Sequence, residues 1–242
     1  MNHKAWLLAA VAAFAHAEDT RRSGLEYMTA ATQALQRDDL QNPALLWLKD
    51  GEQRYADDCA RCHDGTSMRG VATHYPAFDA ALSRPVTLAE RINLCRTRHV
   101  KAAAWPAESQ PLLALETFVA NASRGLPIAP PADERLDPFR EQGRQLFLHR
   151  QGQLDFSCSQ CHDHNAGGRL GGSTIPQGHP TGYPIYRLEW QGMGSLQRRL
   201  RNCMAGVRAE PYDYGSSEFV ALELYLMQRA AGMASETPAV RP

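Results

Sequence analysis

Cys158-Ser159-Gln160-Cys161-His162 has the form C-x-x-C-H, and Cys59-Ala60-Arg61-Cys62-His63 repeats it in the first half of the chain. This spacing puts two thiols on one helical turn, within reach of the two vinyl groups of a haem. The adjacent histidine then meets the iron from the proximal side. A C-x-x-C pair alone also suits zinc, a redox dithiol or plain disulfides. Two copies, each followed by histidine, point to two covalently bound haem c groups held by Cys59, Cys62, Cys158 and Cys161, with His63 and His162 on the irons.

Working outward, the two motifs sit in an internal repeat. Leu88-x-x-Arg91-Ile92-x-x-Cys95 aligns with Leu196-x-x-Arg199-Leu200-x-x-Cys203. Downstream, Leu115-Glu116-Thr117-Phe118-Val119 matches Leu222-Glu223-Leu224-Tyr225-Leu226, and Gly125 matches Gly232. Upstream, Gly51-x-x-x-Tyr55 matches Gly143-x-x-x-Phe147. A Gly-x-x-x-aromatic helix before C-x-x-C-H, with an apolar final helix after it, resembles the cytochrome c fold. Leu112, Leu115, Phe118 and Val119, like Phe219, Leu222 and Leu226, fall at helical spacing and read as core. Alternating β-branched runs are few, so the expected class is mainly α, with two tandem cytochrome c-like domains.

The expected boundaries are an export signal at 1–17, an N-terminal extension at 18–50, a first domain at 51–126, a linker at 127–138 and a second domain at 139–242. The linker is placed on Pro127, Pro130, Pro131 and Pro138. The stretch from Gly167 to Gly182, rich in Gly, Pro, Ser and Thr, reads as a loop wrapping the second haem. His3 and Lys4, the apolar run Ala5 to Phe14 and Ala15-His16-Ala17 fit a secretory signal with cleavage before Glu18. The expected location is therefore outside the cytoplasm.

Composition narrows the function classes. The chain has 242 residues, 43% of them hydrophobic, with 26 Lys+Arg against 26 Asp+Glu. A zero formal charge argues against a polyanion binder, whose affinity rests on uncompensated Lys and Arg. Beyond residue 17 no apolar run approaches the ~18 residues of a membrane span.

Cys95 and Cys203 remain after the haem motifs. One reading pairs them as a disulfide. Another gives each to its own iron, because they occupy equivalent places at the ends of two like helices. Methionine and histidine alternatives exist: Met28, Met68, His74 and His99 in the first half, and Met193, Met204, Met227 and Met233 in the second. Equivalence favours distal thiolate ligation at Cys95 and Cys203, which would hold the potentials low.

Arg198, Arg199, Arg201 and Arg208 crowd around Cys203. Arg199 precedes it by one helical turn, and a guanidinium suits a small oxyanion. Arg199 and Arg208 are the candidate substrate-holding residues. Arg198 and Arg201 read as a solvated face or a partner patch. Arg91, the counterpart of Arg199, leaves a haem-propionate role open for that position.

Over nearly the whole chain beyond the signal the sequence resembles the A subunit of the SoxAX cytochromes of bacterial thiosulfate oxidation. The likeness starts at Ser23-Gly24, Thr32-Gln33-Ala34 and Asn42-Pro43. It is densest from Gly182-Tyr183-Pro184-Ile185-Tyr186-Arg187 through Arg201-Asn202-Cys203-Met204, and it runs on through Pro211-Tyr212-Asp213-Tyr214-Gly215-Ser216. The resemblance implies a complex in the periplasm with a small SoxX-like cytochrome c. It implies oxidative conjugation of thiosulfate to a cysteine of a SoxYZ-like carrier, with two electrons leaving to a downstream cytochrome. It places the active site at the second haem, with Cys203 as the reactive ligand, able to carry a persulfide sulfur. Two competing functions are a diheme thiosulfate dehydrogenase forming tetrathionate and a plain diheme electron-transfer cytochrome with a structural disulfide.

Overall fold

The computed structural model describes residues 19–64 and 67–242; the export signal expected at 1–17 lies outside them. The helices are α1 (Ala30–Arg37), α2 (Leu45–Asp58), α3 (Leu88–Cys95), α4 (Gln110–Asn121), α5 (Asp137–Leu148), α6 (Leu196–Gly206) and α7 (Ser217–Arg229). Short strands fill the connections: β1 (Ala77–Asp79) with β2 (Arg84–Val86), β3 (Arg169–Leu170) with β4 (Ser173–Thr174), and β5 (Ile185–Arg187) between β6 (Gly192–Gly194) and β7 (Ala239–Arg241). The fold is mainly α. Among the described residues no helix is long and apolar enough to cross a membrane.

Two helix crossings organise it, α2 on α4 and α5 on α7. Each passes through a glycine because the backbones touch there. A Cβ on Gly51 would overlap the Ala114 carbonyl and lie 2.8 Å from Phe118 Cβ. One on Gly143 would overlap the Ala221 carbonyl and lie 2.8 Å from Tyr225 Cβ. Beside each glycine two aromatics pack in a tilted pair: Tyr55 on Phe118 with centroids 5.1 Å apart, and Phe147 on Tyr225 at 5.5 Å. The repeat seen in the sequence is therefore a repeat of contacts.

Between the crossings each repeat follows one plan. A β-hairpin, β1–β2 or β5–β6, ends on a hydroxyl residue that caps the next helix. Thr87 Oγ1 accepts from the Glu90 N–H at 3.1 Å to start α3, and Ser195 Oγ accepts from the Arg198 N–H at 3.1 Å to start α6. Such a cap contributes about 1 kcal/mol and fixes where the helix begins. The last residue of α3 is Cys95, and Cys203 lies in the final turn of α6.

The N-terminal segment behaves in a way the sequence did not indicate. α2 begins at Leu45, inside the expected extension, and the residues before it pack on the second repeat. Gln36 Oε1 accepts from the Val240 N–H at 3.1 Å, and Asn42 Nδ2 donates to the Pro238 carbonyl at 3.0 Å. A core of Ala44, Leu113, Tyr186, Met193 and Val240 joins this segment to both repeats. A buried leucine such as Leu113 contributes about 2 kcal/mol over leaving it in water. The proline-rich connection is bonded on both sides as well: the Ile128 N–H donates to Met233 and the Ala129 N–H to Thr73.

A cavity of about 330 Å³ lies between the repeats, and the equivalent residues Glu116 and Glu223 both line it. Burial, with Glu223 and Glu108 nearby, pushes the Glu116 carboxyl up to about 8. Burial likewise lifts Glu223 to about 7, against a hydrogen bond from Gln197. Both folded values exceed the ordinary value near 4.5, so the folded chain holds protons that the unfolded chain has released. Stability then falls as pH rises from about 4.5 to about 8. Glu116→Gln is expected to match the parent near pH 5 and to melt about 5 °C higher at pH 9. Equal melting temperatures at pH 9 would show that the glutamate carries no proton in the fold.

Candidate active site

The C-x-x-C-H turn of the second repeat lies against α6. Cys158 is partly buried among Phe147, Leu222 and Leu226, and burial pushes its thiol up to about 12. Cys161 is raised by burial too. Thiols held neutral suit thioether bonds better than a thiolate metal site. His162 Nδ1 lies 2.8 Å from the Pro176 carbonyl, and since a carbonyl only accepts, Nδ1 carries the proton. Nε2 is left with its lone pair, the arrangement that makes an imidazole a metal ligand. Pro176 belongs to the Gly167–Gly182 loop, which therefore orients the histidine.

His162 and Cys203 face one another in hydrogen-bonding contact. Burial alone would raise the Cys203 thiol. The His162 hydrogen bond and the charges of Arg199, His162 and Arg187 outweigh burial, and the net shift is downward, toward thiolate. Arg199, one turn earlier on α6, is raised chiefly by Cys203. An imidazole nitrogen and a sulfur facing each other, beside two neutral thiols, fit a haem c. Cys158 and Cys161 would hold that group covalently, and His162 and Cys203 would be its protein ligands. Among the described residues no group of three or more His, Cys, Asp or Glu is arranged as a zinc site requires.

The first repeat is built differently. Cys59 and Cys95 act on one another, but Cys62 and His63 are exposed. Arg91, the counterpart of Arg199, is held by Asp79 at 2.8 Å and by the Tyr75 hydroxyl. Each of Cys95 and Cys203 thus faces its own C-x-x-C motif, and none of the six cysteines is in a disulfide. Cys95 and Cys203 are not paired as a disulfide.

Arg208 lies just beyond the helix that carries Cys203. α6 ends at Gly206, and Arg208 takes a left-handed φ of 57° that leaves its side chain exposed. The arginines that act most on Cys203 are Arg199 and Arg187. Arg198 lies over the Trp190 ring at 4.2 Å and Arg201 over Tyr214 at 4.9 Å, so both pack on aromatics rather than on the cysteine. Arg187 stood within the matching sequence block without a role. The signal that finds it is the repeat itself, whose register sets Arg187 at the place of Asp79.

The chain matches the family model described as SoxA/TsdA, cytochrome c domain, twice, over residues 45–128 and 142–235. It is 34% identical to the L-cysteine S-thiosulfotransferase subunit SoxA of Pseudaminobacter salicylatoxidans, over 93% of this chain and 82% of that protein. The chain belongs to the SoxA family. A second SoxA, from Paracoccus pantotrophus, is 32% identical over 92% of this chain and 80% of its own length. The crystal structure of SoxXA from P. pantotrophus superposes with a TM-score of 0.87 at 31% identity, covering 92% of this chain and 87% of that one. Two SoxA cytochrome c domains, the kind that carries haem c, account for the doubled helix crossing and the doubled C-x-x-C-H.

Proposed function

We propose that this SoxA-family chain joins thiosulfate oxidatively to a cysteine of a SoxYZ-like carrier protein, as an L-cysteine S-thiosulfotransferase. The observation that carries the reading is the convergence of Cys203, His162 and Arg199 in the second repeat. The balanced change is a carrier thiol plus thiosulfate giving a carrier S–S–sulfonate, one proton and two electrons. Arg199 holds the sulfonate end through charge-assisted hydrogen bonds. Cys203, drawn toward thiolate, is the nucleophilic sulfur to which thiosulfate is joined before transfer. His162, locked by Pro176, holds its proton on Nδ1 and keeps Nε2 bare. When bound, haem c at Cys158, Cys161 and His162 supplies the outlet for the two electrons, one at a time.

Cys59 and Cys62 would hold a second haem c, with His63 and Cys95 as its candidate iron ligands. The working form is a heterodimer with a SoxX-like small cytochrome in the periplasm, delivering electrons to a downstream cytochrome. The test is anaerobic haem reduction by thiosulfate in the protein with its small cytochrome partner, with and without carrier thiol. Reduction that requires the thiol is expected. Reduction without it would assign tetrathionate formation, and no reduction in either case would leave an electron-transfer cytochrome.

A further inference from the structure

The two repeats run in step from the hairpin to the cysteine. β1 pairs Asp79 with Arg84, and β5 pairs Arg187 with Gly192. The caps Thr87 and Ser195, the arginines Arg91 and Arg199, and the cysteines Cys95 and Cys203 then follow at one constant offset. The hairpin's first strand thus ends on an acid in one repeat and on a cation in the other.

The consequence for the neighbouring arginine is direct. Asp79, only 4% exposed at its side chain, takes Arg91 at 2.8 Å and Arg98 at 3.3 Å. Arg91 is committed. Among the described residues Arg199 has no carboxylate within ion-pair distance in the second repeat, and Arg187 at the end of β5 acts on it as a second, repelling cation. Arg187 touches Glu189 at 2.8 Å, but Glu189 is half exposed, and Arg187 Nε is buried with no hydrogen-bond partner. The Glu189 end of this pair faces water, which screens its hold on Arg187.

We infer that Arg187 is a second anion-holding residue of the thiosulfate site, and that an arginine in place of the aspartate of the first repeat is what opens the second site to a dianion. This rests on the reading that thiosulfate is handled at Cys203. Two guanidiniums brought together in a half-buried site repel one another unless an anion lies between them. A dianion with a three-oxygen sulfonate end accepts from both forks at once. In the first repeat the equivalent arginine is already neutralised by Asp79.

The test is the thiosulfate dissociation constant of the oxidised complex with its small cytochrome, measured anaerobically by calorimetry without carrier, beside KM and kcat with carrier. Arg187→Gln is expected to weaken thiosulfate binding about tenfold or more and to raise KM more than it lowers kcat. Arg187→Asp, which rebuilds the Asp79–Arg91 pair around Arg199, should weaken it further, and Arg187→Lys should recover part of the loss. Dissociation constants within twofold of the parent for both Gln and Asp variants would overturn the inference. So would unchanged binding accompanied by a shifted haem potential, which would assign Arg187 to a propionate. Because binding is read without carrier, tetrathionate as the product would overturn the carrier reaction and leave the role of Arg187 standing.

Discussion

Replacing Cys203 by methionine is expected to lower conjugation of thiosulfate to the carrier by about 10³-fold or more while the fold and the haem attachment persist. The side chain sits in the last turn of α6, partly exposed, and faces His162. Methionine keeps a sulfur donor of similar reach, and helix formers tolerate it well. What it removes is a sulfur able to form and release a second sulfur–sulfur bond, so the loss falls on chemistry rather than on structure. Carrier conjugation in the steady state, read beside the haem absorption spectrum, checks this. Turnover near that of the parent would remove the covalent role from Cys203. Cys95→Met is the internal control and should cost little turnover, since Arg91 beside it is already bound by Asp79.

The largest stability effect is expected at the crossings. Gly143→Val places a branched side chain where even a Cβ overlaps the Ala221 carbonyl, and backbone on a packed helix cannot step aside. Forcing α5 from α7 separates Phe147 from Tyr225 and opens a core in which Phe147 is 1% exposed. Overpacking of this kind costs about 3 kcal/mol, which lowers the melting temperature of a chain this size by about 10 °C. Gly51→Val should behave alike, because Ala114 and Phe118 stand to it as Ala221 and Tyr225 stand to Gly143. Gly172→Ala, with nothing within 4 Å of the added carbon, should leave the melting temperature unchanged. Thermal denaturation of the three variants decides it, and a near-parent melting temperature for Gly143→Val would mean the helices do not meet as described.

The legible part of the site was whatever the chain repeats or spaces locally. Cys158, Cys161 and His162 are read from one turn. Arg199 lies one helical turn from Cys203, and a helix keeps such neighbours on one face. Gly51 and Gly143 were marked by their aromatic partners four residues on. Arg208 is near Cys203 in sequence, but it lies past the end of α6 with a left-handed φ and an exposed side chain, so helix periodicity does not say where it points. Arg187 was passed over for the opposite reason. It lies on another element, and only the pairing of β5 with β6 and the Ser195 cap bring that element beside α6.

The sequence by itself determined the cofactor class, the doubled cytochrome c plan and the pair of cysteines that face their own motifs. Those follow from short-range spacing and from a repeat, and both are written in the order of residues. The tertiary structure decided which arginines reach Cys203 and why only one repeat leaves its arginine free. It also decided that the N-terminal segment packs on the second repeat through Gln36 and Asn42. Such contacts are set by the burial and register of elements far apart in the chain. A change of one strand residue from aspartate to arginine takes its meaning from the helix it is packed against.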